Sequence, residues 1–236
     1  MKSTENMLKK SYLMRTAAAL ALAATLASCG GGGSNYTIGG IVYGLQPNTE
    51  LVLTTNGMEK VVRQTGTADA NGNLPPVSYA FDDKLEYGDV YNVVPKIVST
   101  AADGTVTYQR PAHQNCGATG RISDTAGRLS VISADYTCAL VTPSIGGVVK
   151  GLVAKASLEL GNGSDIVTIT APDTQTTPPA DLPYTFTVPV TFGKTYGVTV
   201  QKQPAGYTCS LQNAAGQITA DEAVTNITVT CVANPA

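Results

Sequence analysis

Acid–base chemistry in this chain would have to run through very few groups. The only histidine is His113, and no G-x-S-x-G segment accompanies it, so the nucleophile, base and orienting acid of a serine hydrolase do not assemble from the sequence. Two carboxylate pairs, Asp82-Asp83 and Asp221-Glu222, have the residue types of a glycosidase, which needs two carboxyls about 5 to 10 Å apart across a cleft. Neighbouring acids more often cap or solvate turns, and both pairs are read that way. Asp69-Ala70-Asn71-Gly72-Asn73 alternates oxygen ligands like a calcium loop. Its glycine is fourth rather than sixth and no Glu stands at the twelfth position, so Asn71-Gly72 reads as a hairpin turn. The five cysteines contain no C-x-x-C, and with one histidine they make no zinc site. The expectation is a non-enzyme with no metal site and no cofactor.

The elements around these groups come from a duplicated unit. Ile38-Gly39-Gly40-Ile41-Val42-Tyr43-Gly44-Leu45 returns as Ile145-Gly146-Gly147-Val148-Val149-Lys150-Gly151-Leu152. Leu51 and Leu53 then match Leu158 and Leu160. Tyr79, Phe81, Gly88, Tyr91 and Val93 match Tyr184, Phe186, Gly193, Tyr196 and Val198, and Pro111-Ala112 with Cys116 matches Pro204-Ala205 with Cys209. Internal repetition of this kind signals repeated structural units. Cys116 and Cys138 stand 22 positions apart, as do Cys209 and Cys231, so Cys29 is the odd one out. Four cysteines allow three connectivities; repeat symmetry selects 116–138 and 209–231, in an oxidising compartment.

Alternation sets the secondary structure. Ile227, Val229 and Cys231 fall on one face while Asn226, Thr228 and Thr230 fall on the other, the period of two of a half-buried strand. Turn pairs such as Asn56-Gly57, Asp103-Gly104 and Asn162-Gly163 punctuate such runs. No helical period appears after the N-terminal segment. The fold class expected is all-β: two tandem antiparallel β-sandwich modules, repeat 1 over 36–140 and repeat 2 over 144–232.

Lys2, Lys9, Lys10 and Arg15 precede an apolar run from Thr16 to Ala27, which has the length of a signal-peptide h-region and is too short to span a bilayer. The run ends Leu26-Ala27-Ser28-Cys29 and is followed by Gly30 to Ser34. This resembles the lipobox of bacterial lipoproteins. The resemblance implies removal of 1–28, diacylglycerol on the Cys29 thiol and an acyl chain on its amine, and a Gly-rich tether over 29–35. Gly30 after the cysteine, where such lipoproteins often carry a retaining Asp, implies the outer membrane. The membrane, reached through this lipid, is then one partner.

The repeats resemble the Ig-like lipoprotein repeats of Gram-negative bacteria, whose pattern runs approximately G-x-V-x-G-L, V-L-x-N-N-G, S-F-x-F, Q-P-x-G-x-x-C and V-T-N-V-x-V-x-C. Repeat 2 carries it in Gln203-Pro204-Ala205-Gly206-Tyr207-Thr208-Cys209 and in Val224 through Cys231. Repeat 1 departs at Arg110 and His113, where the pattern has Gln and Gly. The chain has no Trp, and its cysteines are too close in sequence for an immunoglobulin inter-sheet bridge. "Ig-like" is therefore architectural, and each cystine is expected to tie the last strand to a near neighbour.

Only 14% of residues are charged, against roughly a quarter in ordinary soluble domains. The 43% hydrophobic content suits a folded core and not wholesale disorder. Removal of 1–28 takes four basic residues and Glu5 with it, and the eleven basic and sixteen acidic residues left carry a net charge of −5. No Lys/Arg cluster replaces a phosphate counterion atmosphere, so nucleic acid is not an expected partner. Repeat 1 carries an insertion of twelve residues, and Val98 to Arg110 reads as strand, Asp-Gly turn, strand. Loops on rigid sandwiches often carry recognition, which makes Tyr108, Arg110 and His113 the candidate contacts for an envelope or extracellular partner. The functional expectation is a lipid-anchored envelope protein with a structural or binding role. The alternatives are a surface-exposed adhesin or secretion accessory, and an envelope hydrolase.

Overall fold

The computed structural model describes residues 35–70, 72–129, 131–175 and 177–235. Cys29, the segment 1–28, most of the 29–35 tether and Asn71 lie outside the described residues. Every regular element among the described residues is a strand, so the protein is all-β.

Repeat 1 holds β1 (Tyr36–Tyr43), β2 (Glu50–Thr55), β3 (Met58–Arg63), β4 (Val77–Leu85), β5 (Val90–Asn92), β6 (Val94–Pro95), β7 (Ile97–Thr100), β8 (Val106–Tyr108), β9 (Gln114–Ala118), β10 (Ser123–Thr125), β11 (Ile132–Ser133) and β12 (Tyr136–Leu140). Repeat 2 holds β13 (Ile145–Lys150), β14 (Ser157–Asn162), β15 (Asp165–Thr170), β16 (Leu182–Thr185), β17 (Thr195–Lys202), β18 (Tyr207–Gln212), β19 (Ala215–Gln217) and β20 (Val224–Ala233). In repeat 2 one sheet has the order β16-β13-β20-β18 and the other β15-β14-β17-β19. Repeat 1 uses the same plan, with β11-β1-β12-β9 plus β4 on β1, and β3-β2-β6 opposite. Two differences stand out. Pro95, which has no N–H for a ladder, sits in the two-residue edge strand β6, whereas β17 runs on for eight residues. Between β11 and β12 the Asp135 carboxylate accepts the Ile41 N–H at 2.8 Å, a side chain standing in for a backbone acceptor.

Each module contains parallel pairing: β1 runs parallel to β11 and β12, and β13 runs parallel to β20. One glycine of each repeated pair follows from this. A Cβ on Gly147 would overlap the carbonyl oxygen of Ile227, and one on Gly40 that of Ala134, so β1 and β13 reach their parallel neighbours only without side chains there. Gly44 and Gly151 end the strands at φ +70° and +75°, a left-handed conformation that glycine adopts without steric penalty.

Each module buries its own apolar cluster, with Leu51, Leu53, Tyr91 and Tyr136 in the first and Leu158, Leu160, Ile227 and Val229 in the second. The alternation in β20 is as expected, with Ile227, Val229 and Cys231 inward. Tyr79 and Tyr184 occupy matching core positions and stack edge-on against Phe81 and Phe186. Their hydroxyls differ. Tyr79 donates to the Ala134 carbonyl, while the buried Tyr184 hydroxyl has no partner among the described residues, and burial pushes it up to about 12. Tyr184→Phe is therefore expected to leave stability unchanged or raise it slightly, while Tyr79→Phe loses about 1 kcal/mol. Paired thermal melts of the two variants check this, and equal losses would contradict it.

Candidate functional site

The insertion folds as a hairpin. β7 and β8 pair around Asp103-Gly104, with Gly104 at φ +86°. The Asp103 carboxylate accepts the Thr105 N–H at 2.9 Å, and that bond holds its carboxyl below the usual range. The segment from β8 to β9 then carries all three residues read from sequence as partner contacts.

Two of them turn toward the second module. His113 Nδ1 lies 2.7 Å from Asp221 Oδ1 and, since a carboxylate only accepts, Nδ1 carries the proton. The His113 ring stacks on Phe192 with centroids 3.8 Å apart and planes at 11°. Arg110 spreads its guanidinium between Asn115 Oδ1 at 3.0 Å and Asp221 Oδ2 at 3.2 Å. The backbone continues the seam: Val141 N–H donates to the His113 carbonyl and Phe192 N–H to the Val141 carbonyl, both at 2.9 Å. Read from sequence as contacts for an outside molecule, Arg110 and His113 instead form a clasp onto the second module. The reason is that Asp221 and Phe192 are brought to them only by the fold.

His113 also takes a backbone conformation its residue type disfavours. It sits at φ +58°, where the matching Gly206 sits at +73°; a non-glycine residue there is strained by roughly 1–2 kcal/mol. The stack and the Asp221 bond oppose that strain. With one face of the ring against Phe192 and Nδ1 committed to Asp221, the imidazole acts here as a fastener.

Tyr108 remains half-exposed. With Arg110 it borders a groove of about 360 Å³ whose walls include Val94, Pro95, Ile122, Cys116 and Tyr136. The groove lies where the edge strand β6 of one sheet faces the edge strand β9 of the other. Tyr136 is nearly fully buried, donates to the Val93 carbonyl at 2.7 Å, and is pushed up to about 12, first by burial and then by Tyr108.

The remaining candidates resolve into structure. Cys116 bonds Cys138 across β9 and β12, and Cys209 bonds Cys231 across β18 and β20, each bridging directly opposed residues of adjacent strands. Asp82 and Asp83 lie within the continuous strand β4, not in a turn, and Asp82 pairs with Lys60 at 2.8 Å. The Asp69 carboxylate accepts the Asn73 N–H at 2.8 Å and so serves its own turn. Among the described residues no group of three or more His, Cys, Asp or Glu is arranged to hold a metal ion. Sequence reasoning missed Gln114, whose buried amide accepts from Gln46 N–H at 2.9 Å and donates to the Gly44 carbonyl at 2.8 Å. Nothing in its local pattern separates it from a surface glutamine.

No family model matches this chain, and no curated protein matches it. Solved structures similar to it include the Bacillus anthracis TIE protein, at 11% identity and a TM-score of 0.38, covering 83% of this chain and 34% of that one. The chain thus spans about a third of that protein's length. The major pilin protein T-13 of Streptococcus pyogenes is similar at 12% identity and a TM-score of 0.27, covering 87% of this chain and all of that one. The shaft pilin spaA of Lactobacillus rhamnosus GG is similar at 12% identity and a TM-score of 0.23, covering 86% and 100%.

Proposed function

We propose that this chain is a non-catalytic lipoprotein of the bacterial cell envelope, acylated on Cys29, whose two modules form a clasped arm tethered at the membrane. The observation that carries the reading is the cysteine inventory. Four cysteines pair as two cystines, one per module, which suits an oxidising compartment. The fifth stands directly behind a signal-like apolar run. The intact mass of the native product, taken before and after reduction, tests it. The expected product begins at Cys29, carries acyl chains, and gains four hydrogens on reduction; a product without acylation overturns the anchor. The sequence around Cys29 and Gly30 supports the outer membrane as its location.

The clasp supports an arm whose modules move together. Asp221→Ala combined with Phe192→Ala is expected to leave the strands of both modules intact. The stability change should be small, since half-exposed ion pairs contribute about 1 kcal/mol or less. Nitrogen-15 relaxation should report one tumbling time for both modules in the parent and two after the change. A single shared time in the variant would show that the backbone seam suffices without the side chains. The open groove beside β9 favours a second, binding role for the same arm, with protease treatment of intact cells reporting which side of the envelope it faces.

A further inference from the structure

The two modules treat the same backbone position differently. In repeat 2 the Cys209 N–H donates to Gln203 Oε1 at 2.8 Å, and Gln203 Nε2 donates to the Cys209 carbonyl at 3.1 Å. One primary amide therefore closes both outward backbone groups of a residue on the edge strand β18, as a neighbouring strand would. Those groups point outward because Cys209 and Cys231 form a non-hydrogen-bonded antiparallel pair, the class with the shorter Cα separation; here it is 3.9 Å. Cys116 and Cys138 form the same pair at 4.0 Å in the same register. The N–H and carbonyl of Cys116, and two residues on those of Ala118, accordingly face away from β12.

Repeat 1 has Arg110 where repeat 2 has Gln203, six residues before the cysteine in each case. A guanidinium has five donors and no acceptor, so it cannot take the Cys116 N–H as the glutamine takes that of Cys209. Arg110 is in any case drawn to Asp221 and Asn115. Among the described residues no side chain takes Gln203's place at Cys116. The backbone groups left uncapped border the groove between β9 and β6, whose walls are mainly apolar. An unpaired edge beside an apolar trough has the features used when an extended peptide joins a sheet: main-chain bonds along the edge and alternate side chains in the trough. The internal copy supplies the chemistry of the occupant, an amide group with one donor and one acceptor.

We propose that the edge of β9 left open at Cys116–Ala118 binds an extended peptide segment of a partner protein, which gives Cys116 the donor and acceptor that Gln203 gives Cys209. This goes beyond the tethered-arm reading and stands without it: failure of the peptide experiment leaves Cys29 acylation and the clasp untouched.

The test uses the full mature chain and a capped hexapeptide alternating Val and Thr, with an otherwise identical peptide N-methylated at every residue as control. Residue-resolved amide exchange is the readout. In the free protein the Cys116 amide is expected to exchange faster than that of Cys209. Saturating hexapeptide should slow exchange at Cys116 and Ala118 by about tenfold or more, the scale of one net hydrogen bond. The N-methylated peptide, which lacks the donors, should slow neither. Arg110→Gln should protect Cys116 without any peptide and weaken hexapeptide binding by about tenfold. Asp221→Ala, which removes the clasp's acceptor and leaves an arginine at position 110, should bind as the parent does. The proposal is overturned by no binding, by equal effects of the two peptides, by unchanged binding in R110Q, or by a Cys116 amide as protected as Cys209 from the outset.

Discussion

Gly147→Ala is expected to unfold the second module, with a loss of at least about 4 kcal/mol, in the range reserved for named structural failures. The added methyl would overlap the Ile227 carbonyl oxygen and crowd its carbon at 2.6 Å. Both atoms belong to the backbone of β20, so no rotamer change relieves the clash. Separating the strands would break the parallel ladder that joins Gly147 to Ile227 and Val149 to Val229. Domain stabilities are about 5–15 kcal/mol, so such a loss removes most or all of what one module possesses. Gly197→Ala is the matched control. Nothing lies within 4 Å of a Cβ there and its φ is not positive, so a change within about 0.5 kcal/mol is expected. Calorimetry should show the second module's transition missing or far lowered in G147A and unmoved in G197A; similar melts for the two variants would contradict the account.

The second large effect is expected from the cystines. Replacing Cys209 and Cys231 together by Ala opens a loop whose ends are 22 positions apart. The chain-entropy relation gives about 3 kcal/mol for closing a loop of that size. For a module of this size that corresponds to a melting temperature lower by roughly 15 °C. The effect should be confined to the second module's transition, with the first module's cluster untouched, because each bridge lies between strands of one sheet of one module. The corresponding Cys116→Ala, Cys138→Ala pair should lower only the first. A common shift of both transitions would show that the modules melt as one cooperative unit.

Much of this architecture was legible in the residues because period-two alternation and duplicated motifs are local signals. The inward set Ile227, Val229 and Cys231 needed no tertiary information, and the Val98–Arg110 hairpin announced itself through Asp103-Gly104. Strand direction was not legible, since alternation reads the same in both directions. The parallel pairing of β13 with β20 explains Gly147, and the close antiparallel approach of β16 explains Gly146, only after the fact. The clasp lay halfway between. That Arg110 and His113 break the repeat pattern was visible, but their partner Asp221 stands 111 and 108 positions away, and no local rule connects them. Gln203 was hidden differently. It belongs to a Gln-Pro-Ala-Gly run that reads as a turn, and its amide closes a strand edge only once β18 is in place.

The parallel closure has a mechanical corollary. Because β1 and β12, and likewise β13 and β20, run side by side in one direction, the polypeptide enters each module at one pole and leaves at the other. Tension between the two chain ends therefore loads these ladders in shear. Rungs of a sheared ladder share the load at once, whereas a hairpin with both ends at one pole opens like a zipper, rung by rung. The cystine then welds each exit strand to its neighbour, so sliding it would drag β9 or β18 along as well.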